Sequence, residues 1–454
     1  MDKKEAQFKK MTEEPVSRLI LSLAVPTIIS MMVTAIYNTA DTYFVSQLGT
    51  SASGAVGIVM SLMGIIQSSG FLIGMGAGSW MSRLLGEKKE AEASEVAASG
   101  FYFSLLMGVL IAVLGVLFLE PLVLLLGATE TIRPYAMEYA QYILYAAPFL
   151  IASFSLNKML CAEGKARFAM VGIASGGILN IFLDPLFIFV FHMGIAGAAV
   201  ATALSQVFSF VLLLYMFVSG RTIAKLNLKN ASRRIMRYVQ IVKYGMPSFF
   251  RQGLSSVAMI AMNIQAAKYG DSAVSAMAIV TKVFMLIFSV VIGFGQGYQP
   301  VAGYNYGAKF YGRVKESFLF MTKTATLFLC IFAAAGYFAA PSVICLFIKD
   351  DPEVIRIGTE TMRFQCVSMP FLPLAVCCNM TFQTIGKSAV ATFLASARQG
   401  YAFLPLVLIL PRFLGMRGVE ISQPLADVIA FFICIPFTVR FFRELALLQE
   451  SAGK

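Results

Sequence analysis

Three aspartates lie well inside long apolar runs of this chain: Asp41, Asp184 and Asp427. A charged side chain at the centre of a bilayer costs about 2.5–3.5 kcal/mol on insertion scales, so each needs a partner, a proton or a water-filled cavity. Thr34, Tyr37, Asn38 and Asp41 recur at i, i+3, i+4 and i+7, which puts them on one helical face. Asn180 and Asp184 are four apart and share a face, and Pro185 frees the carbonyl of Ile181. Thr202, Ser205, Gln206 and Ser209 repeat the helical spacing in the next run. Two carboxylates at similar depth resist being ionised together, so Asp41 and Asp184 form a natural proton-accepting or cation-binding pair. The oxygens of Asn180 and Thr202 suit Na⁺ as well as a proton relay. Arg251, Lys282 and Arg398 also fall within apolar runs. They admit two readings: an ion-pair cluster, Asp427 with Lys282 or Arg398, or a cavity wall that handles anionic substrate groups.

Other chemistry finds no support. The single histidine, His192, leaves no HExxH zinc helix, and the seven cysteines show no CxxC spacing. No nucleophile, base and orienter appear in a recognisable motif, and the P-loop pattern is missing. The expectation is a non-enzyme without cofactor, and transport that is secondary rather than ATP-driven.

The elements that must hold these residues are membrane helices. Hydrophobic residues make up 58% and charged residues 13% of the chain, and mean hydropathy is +0.77, against about a quarter charged in globular proteins. Twelve runs reach the ~18–25 residues that cross about 30 Å of hydrocarbon. They fall near 18–47, 54–82, 97–119, 134–160, 168–191, 194–218, 240–267, 274–303, 318–341, 357–384, 389–411 and 419–442. The first is too long, and too polar at its far end, for a cleaved signal, and is expected to stay attached. With the N-terminus cytoplasmic, 23 Lys and Arg fall on the cytoplasmic side and six on the other. That bias places both termini in the cytoplasm of a multi-pass inner-membrane protein. The net charge of +12 is then an orientation signal, concentrated in 219–239, and gives no reason to expect nucleic acid.

The chain also repeats itself. A shift of 221 positions superimposes Pro26 on Pro247, Gly49 on Gly270, Gly74 on Gly295, Gly76 on Gly297, Gly86 on Gly307 and Lys88 on Lys309. A slip of one residue pairs Asn157 with Asn379 and Gly164 with Gly386. Each half has six spans, so the repeat is parallel and should frame a central cleft. The expected organisation is an N-lobe, 1–220, a basic cytoplasmic linker, 221–239, and a C-lobe, 240–454. Asp41 aligns with Met262 and Asp184 with Leu404, so the second half omits both acids. A purely structural requirement would appear twice, and the pair therefore reads as functional. Pro26 weakens the first helix just below its polar face and is a candidate hinge.

With these features in place, the chain resembles a multidrug and toxic compound extrusion (MATE) transporter over nearly its whole length. The resemblance is carried by IYNTADTYFVSQLGTSASGAVGI at 36–58, GMGAGSWMSRLLGEKKEAEASE at 74–95, ILNIFLDPLFIF at 178–189, MGIAGAAVATALSQ at 193–206 and GFGQGYQPVAGYNYGAK at 293–309. It implies export of drugs or metabolites by H⁺ or Na⁺ antiport. The pattern of the DinF-like branch falls on Asp41, Asn180, Asp184 and Thr202, with its bending proline on Pro26, and the texture is similar to the MepA-like bacterial group. The NorM-like branch uses acids in helices 7 and 10; here 240–267 has none and helix 10 has only Glu360 near its start. The expected mechanism is exchange of lipophilic, cationic organic molecules by rocker-switch alternating access. Tyr37, Asn38, Asn157 and Gln206 are candidates for the substrate pocket, and the supply of 39 Phe, 17 Tyr and 25 Met suits such ligands. The expected partners are membrane lipid and small organic substrates, and the expected state is a monomer. The alternatives are a flippase for lipid-linked oligosaccharides or other amphiphiles, favoured if Arg251, Lys282 and Arg398 all face the cleft, and a membrane channel or receptor.

Overall fold

Polar backbone cannot be left unpaired in hydrocarbon, so a chain this apolar must satisfy its amides within helices. The structure is a computed structural model and describes residues 3–348 and 351–452. Lys349 and Lys454, counted in the charge bias, lie outside the described residues. Among the described residues there are sixteen α-helices and no strand. The first six are α1 (Lys3–Glu13), α2 (Val16–Ser46), α3 (Thr50–Gly86), α4 (Glu90–Leu117), α5 (Leu119–Leu125) and α6 (Arg133–Ala162). Next come α7 (Ala166–Pro185), α8 (Gly194–Val218), α9 (Ile235–Ala267), α10 (Asp271–Gly307) and α11 (Tyr311–Phe347). The last are α12 (Pro352–Ser368), α13 (Leu372–Thr384), α14 (Ser388–Ser396), α15 (Leu404–Leu414) and α16 (Met416–Ala452).

Eleven of the twelve expected spans are long and apolar enough to cross a membrane. The twelfth, α9, is a continuous 33-residue helix whose hydropathy is diluted by Lys243, Arg251 and a run of polar residues. Its Val257, Met259, Ile260 and Ile264 are exposed, so it keeps one apolar face outward. The expected linker boundary at 239 is displaced, because α9 already begins at Ile235 and only a 3₁₀ turn at Leu228–Asn230 interrupts the segment before it. Proline sets the breaks. Pro185 ends α7, which continues as a π turn over Leu186–Val190. The tenth span divides into α12 and α13 at a 3₁₀ turn, Met369–Phe371, that contains Pro370, whereas its counterpart Pro148 sits inside an unbroken α6.

The repeat is visible in local geometry. Left-handed φ recurs at Gly49 and Gly270 (113° and 98°) and at Gly164 and Gly386 (80° and 88°), where the chain leaves or enters a helix and a side chain would be strained. Lys88 and Lys309 share the same conformation (60° and 64°). Asn157 Nδ2 donates to Ala169 O at 2.9 Å, and Asn379 Nδ2 to Ala391 O at 2.7 Å.

The two lobes meet through α2 against α10, α3 against α9 and α3 against α10. The meeting is close at the end that carries both chain ends, here called the termini end. A Cβ at Gly86 would lie 2.2 Å from Tyr304 O, and one at Gly307 2.2 Å from Arg83 O. These are the same contact seen from each lobe, since Arg83 and Tyr304 are also 221 apart. Gly76 and Gly245 let α3 and α9 touch backbone to backbone, and Gly293 and Gly297 do so for α10 and α2. Arg83 reaches across, donating from Nη1 to Ile385 O at 3.1 Å and lying over the Tyr244 ring. At the same end α1 straps the lobes together. Gln7 donates to Glu163 O in the first, while Met11 O and Glu14 O accept from Asn305 and Arg313 in the second. At the far end Gly57, Gly64 and Gly253 meet nothing within 4 Å.

Candidate functional site

Asp41 comes from the outer part of α2, Asn180 and Asp184 from α7 and Thr202 from α8, and all four are buried. The structure brings them together inside the first lobe. Asn180 Nδ2 donates to Asp184 Oδ1 at 3.1 Å and to Thr202 Oγ1 at 3.3 Å. Asp41 and Asp184 are near enough for their charges to interact. Tyr139 on α6, fully buried, donates from its hydroxyl to Asp41 Oδ2 at 3.3 Å. Three oxygens of this group, Asp41 Oδ1, Asn180 Oδ1 and Asp184 Oδ2, are buried and have no hydrogen-bond partner. Buried acceptors are normally satisfied, because leaving one bare costs about 1–3 kcal/mol. Acceptors alone, two of them on carboxylates, suit a proton or a hard cation such as Na⁺. No group of three or more His, Cys, Asp or Glu that could hold a metal ion occurs among the described residues, so an ion here would rest on two carboxylates plus neutral oxygens.

The remaining sequence candidates divide. Tyr37 is buried with its ring against Gly177, and Gln206 is buried on α8, so both line the interior of the first lobe. Asn38 is half-buried. Asn157 stands apart from them. Its amide ties α6 to α7, and Asn379 makes the same bond in the second lobe, which is a packing role common to both halves. Pro26 sits inside a continuous α2, one residue from Thr27, whose hydroxyl donates to Gly293 O across the lobe boundary at 2.6 Å.

In the second lobe Asp427 is held by Arg398 Nε at 2.6 Å and Gln423 Nε2 at 2.9 Å, and Arg398 lies over the Phe288 ring. Lys282 is exposed and takes no part in that pair. Arg251 Nη1 donates to Asn379 Oδ1 at 2.9 Å. The three basic residues thus have different surroundings, and of the three only Arg398 is paired with Asp427 among the described residues. Glu360 is in an outer ion pair with Arg356 at 3.6 Å. Met262 and Leu404 put apolar side chains where the first lobe has Asp41 and Asp184.

Sequence reasoning passed over Tyr139 and Lys158. A tyrosine within a span carries no cost that marks it. Lys158 did carry a signal, an ammonium inside the fourth apolar run, and it is buried at the lobe boundary, donating to Gln296 Oε1 at 2.8 Å.

The MatE family model matches residues 26–186 and again 247–407, two copies offset by the same 221 positions as the repeat. The chain belongs to the MatE family. Members of this family are transporters rather than enzymes, which agrees with the two-lobed, all-helical architecture and its eleven apolar spans among the described residues. Among curated MATE relatives, the multidrug export protein MepA of Staphylococcus haemolyticus (strain JCSC1435) is 25% identical over 433 residues, covering 95% of each chain. A MATE crystal structure in complex with MaL6 superposes with a TM-score of 0.91 at 26% identity, covering 98% of this chain and 99% of that one. The outward-facing conformation of a multidrug resistance MATE transporter of the MOP superfamily gives 0.90 at 26%, covering 99% of both.

Proposed function

We propose that this MATE transporter is a secondary active multidrug exporter that exchanges small lipophilic organic molecules for H⁺ or Na⁺ by alternating access, and that Asp41, Asn180, Asp184 and Thr202 are its cation site. What carries the reading is the set of three partnerless buried oxygens in the first lobe, set against Met262 and Leu404 in the second. The cation enters from the far side and weakens substrate binding in the same lobe. Linkage makes the effect reciprocal, so substrate weakens the cation by the same factor. One charge crossing ~100 mV supplies about 2.3 kcal/mol before any concentration gradient is added.

Both termini lie in the cytoplasm in this reading, and the lobes, closed at the termini end, face outward. Pro26 is the hinge of α2, and the chain works as a single copy because one chain contains both lobes and the cleft. Uptake of ethidium into everted vesicles, whose outer face is the cytoplasmic one, tests the site. Asp41→Asn and Asp184→Asn should each abolish gradient-driven exchange while the protein still reaches the membrane. Full exchange in either variant would sink the first-lobe mechanism. Collapse with a protonophore, or only on removal of Na⁺, names the ion. Pro26→Ala should slow turnover severalfold, and unchanged turnover removes the hinge role.

A further inference from the structure

The boundary between the lobes holds positive charge that the cation site does not use. Lys158 on α6 is 6% exposed and has no carboxylate in ion-pair distance among the described residues. Its ammonium has three hydrogens to donate. Its contacts are Gln296 Oε1 at 2.8 Å and the Phe71 ring, whose centroid is 4.9 Å away. An ammonium cannot accept, so this bond fixes the Gln296 amide with Oε1 toward Lys158. The other end, Gln296 Nε2, is buried without a partner, and Gln299 Nε2 is the same. Lys158, Gln296 and Gln299 line one small cavity between the lobes, together with Ser79, Ser82 and Thr384, and no Asp or Glu lines it. Arg251 on α9 donates to Asn379 Oδ1 and has no carboxylate in ion-pair distance among the described residues either. Buried cations and buried donors are costly unless something accepts from them. Here the donors converge, and beyond Gln296 Oε1 no acceptor meets them among the described residues.

We propose that this cavity is an anion subsite, formed by Lys158, Gln296 and Gln299, and that it receives the carboxylate or phosphate of a transported amphiphile. The proposal rests on the exporter reading above and deepens it: the substrates include molecules that carry an acidic group, and not lipophilic cations alone. Because Lys158 belongs to one lobe and Gln296 and Gln299 to the other, an anion seated there bridges the boundary that must open at the termini end.

The repeat supplies the control. Asn157 and Asn379 make equivalent bonds, so the residues that follow them, Lys158 and Met380, are equivalent as well. Gly74 packs on the Lys158 stem and Gly295, its partner in the repeat, on the Met380 thioether. The six-helix lobe thus folds with methionine at this place, and Lys158→Met copies the other lobe.

The test uses the full chain in proteoliposomes and two dyes, rhodamine B, which has a free carboxylate, and its ethyl ester, which does not. Lys158→Met should raise KM for rhodamine B by about tenfold or more, the size of one lost charged hydrogen bond, and leave the ester unchanged. An equal change for both dyes, or none for rhodamine B, overturns the subsite. Inorganic phosphate should compete with rhodamine B and not affect the ester. If phosphate instead speeds ester transport in the parent and not in the variant, a free anion is the occupant and the assignment to substrate is overturned. Retained ester transport shows that the exporter and its cation site still work, so failure of the subsite is distinct from failure of the exporter reading. Gln299→Leu, which keeps the lysine, serves if Lys158→Met does not fold and should raise KM for rhodamine B in the same selective way; no selectivity in it overturns the proposal.

Discussion

Asp41 and Asp184 draw their meaning from their neighbours. A carboxylate in a membrane helix can be a structural pair, and Asp427 is one, held by Arg398 and Gln423. Among the described residues Asp41 and Asp184 have no cation partner; they have Tyr139, Asn180 and two bare oxygens of their own. Tyr139→Phe removes the one hydroxyl that donates to Asp41, and we expect coupled exchange to fall by up to about tenfold with substrate binding unchanged, measured as exchange rate against binding affinity. At this scale the sequence was informative where chemistry is costly. Acids within apolar runs stand out, and helical spacing places Asn180 beside Asp184. It was uninformative where chemistry is cheap, as for Tyr139, and it did not show that the Asn157 amide serves the backbone of α7. Only the equivalent bond of Asn379 makes that plain.

Among the elements, the termini end is where helices of the two lobes approach backbone to backbone, and where the proposed exchange would have them separate. A Cβ at Gly245 would lie 1.7 Å from Leu72 O, a backbone atom of the other lobe that cannot step aside. Gly245→Ala therefore spares the packing within its own lobe and blocks this closure. Thiol labelling of Ser79→Cys, buried near the boundary, should rise severalfold in the Gly245→Ala background, and unchanged labelling would mean that the glycine contact is not the gate. Beside the gate, Glu163 is buried beneath the linker, accepting from Lys165 and from the amide of Ile223, both at 2.6 Å. Burial pushes its carboxyl above the ordinary value of 4.5, with the Lys165 charge and hydrogen bond and the amides of Ile223 and Ala224 opposing. The folded state then holds a proton that the unfolded state has lost, so this contribution to stability is fully present below 4.5 and is lost as pH rises through the folded-state value. Glu163→Gln should flatten that fall, read as melting temperature against pH. The spanning helices were readable from hydropathy; the polar α1 was not. The role of α1 as a strap was not readable either, because the hydrogen bonds by which it joins the two lobes run through backbone carbonyls, which leave no pattern in the sequence.

For the whole molecule, the sequence repeat and the charge bias make separate claims. The repeat is realised in the fold, down to paired left-handed turns and the reciprocal contacts of Gly86 with Tyr304 O and of Gly307 with Arg83 O, which close the lobes at the termini end. The charge bias says which end faces the cytoplasm, and no helix contact can say so. The two claims meet in a single experiment. Thr129 and Lys229 are exposed on loops at opposite ends, so an impermeant maleimide applied to intact cells should label Thr129→Cys at once and Lys229→Cys only after permeabilisation. That outcome makes this structure the outward-facing state, with the cation site on the open side and the anion cavity at the closed floor. The reverse outcome would turn the molecule over. The closed gate would then be the outer one, Asp41 and Asp184 would open to the cytoplasm, and a cation arriving from outside could not reach them without first separating the lobes at Gly76 and Gly245.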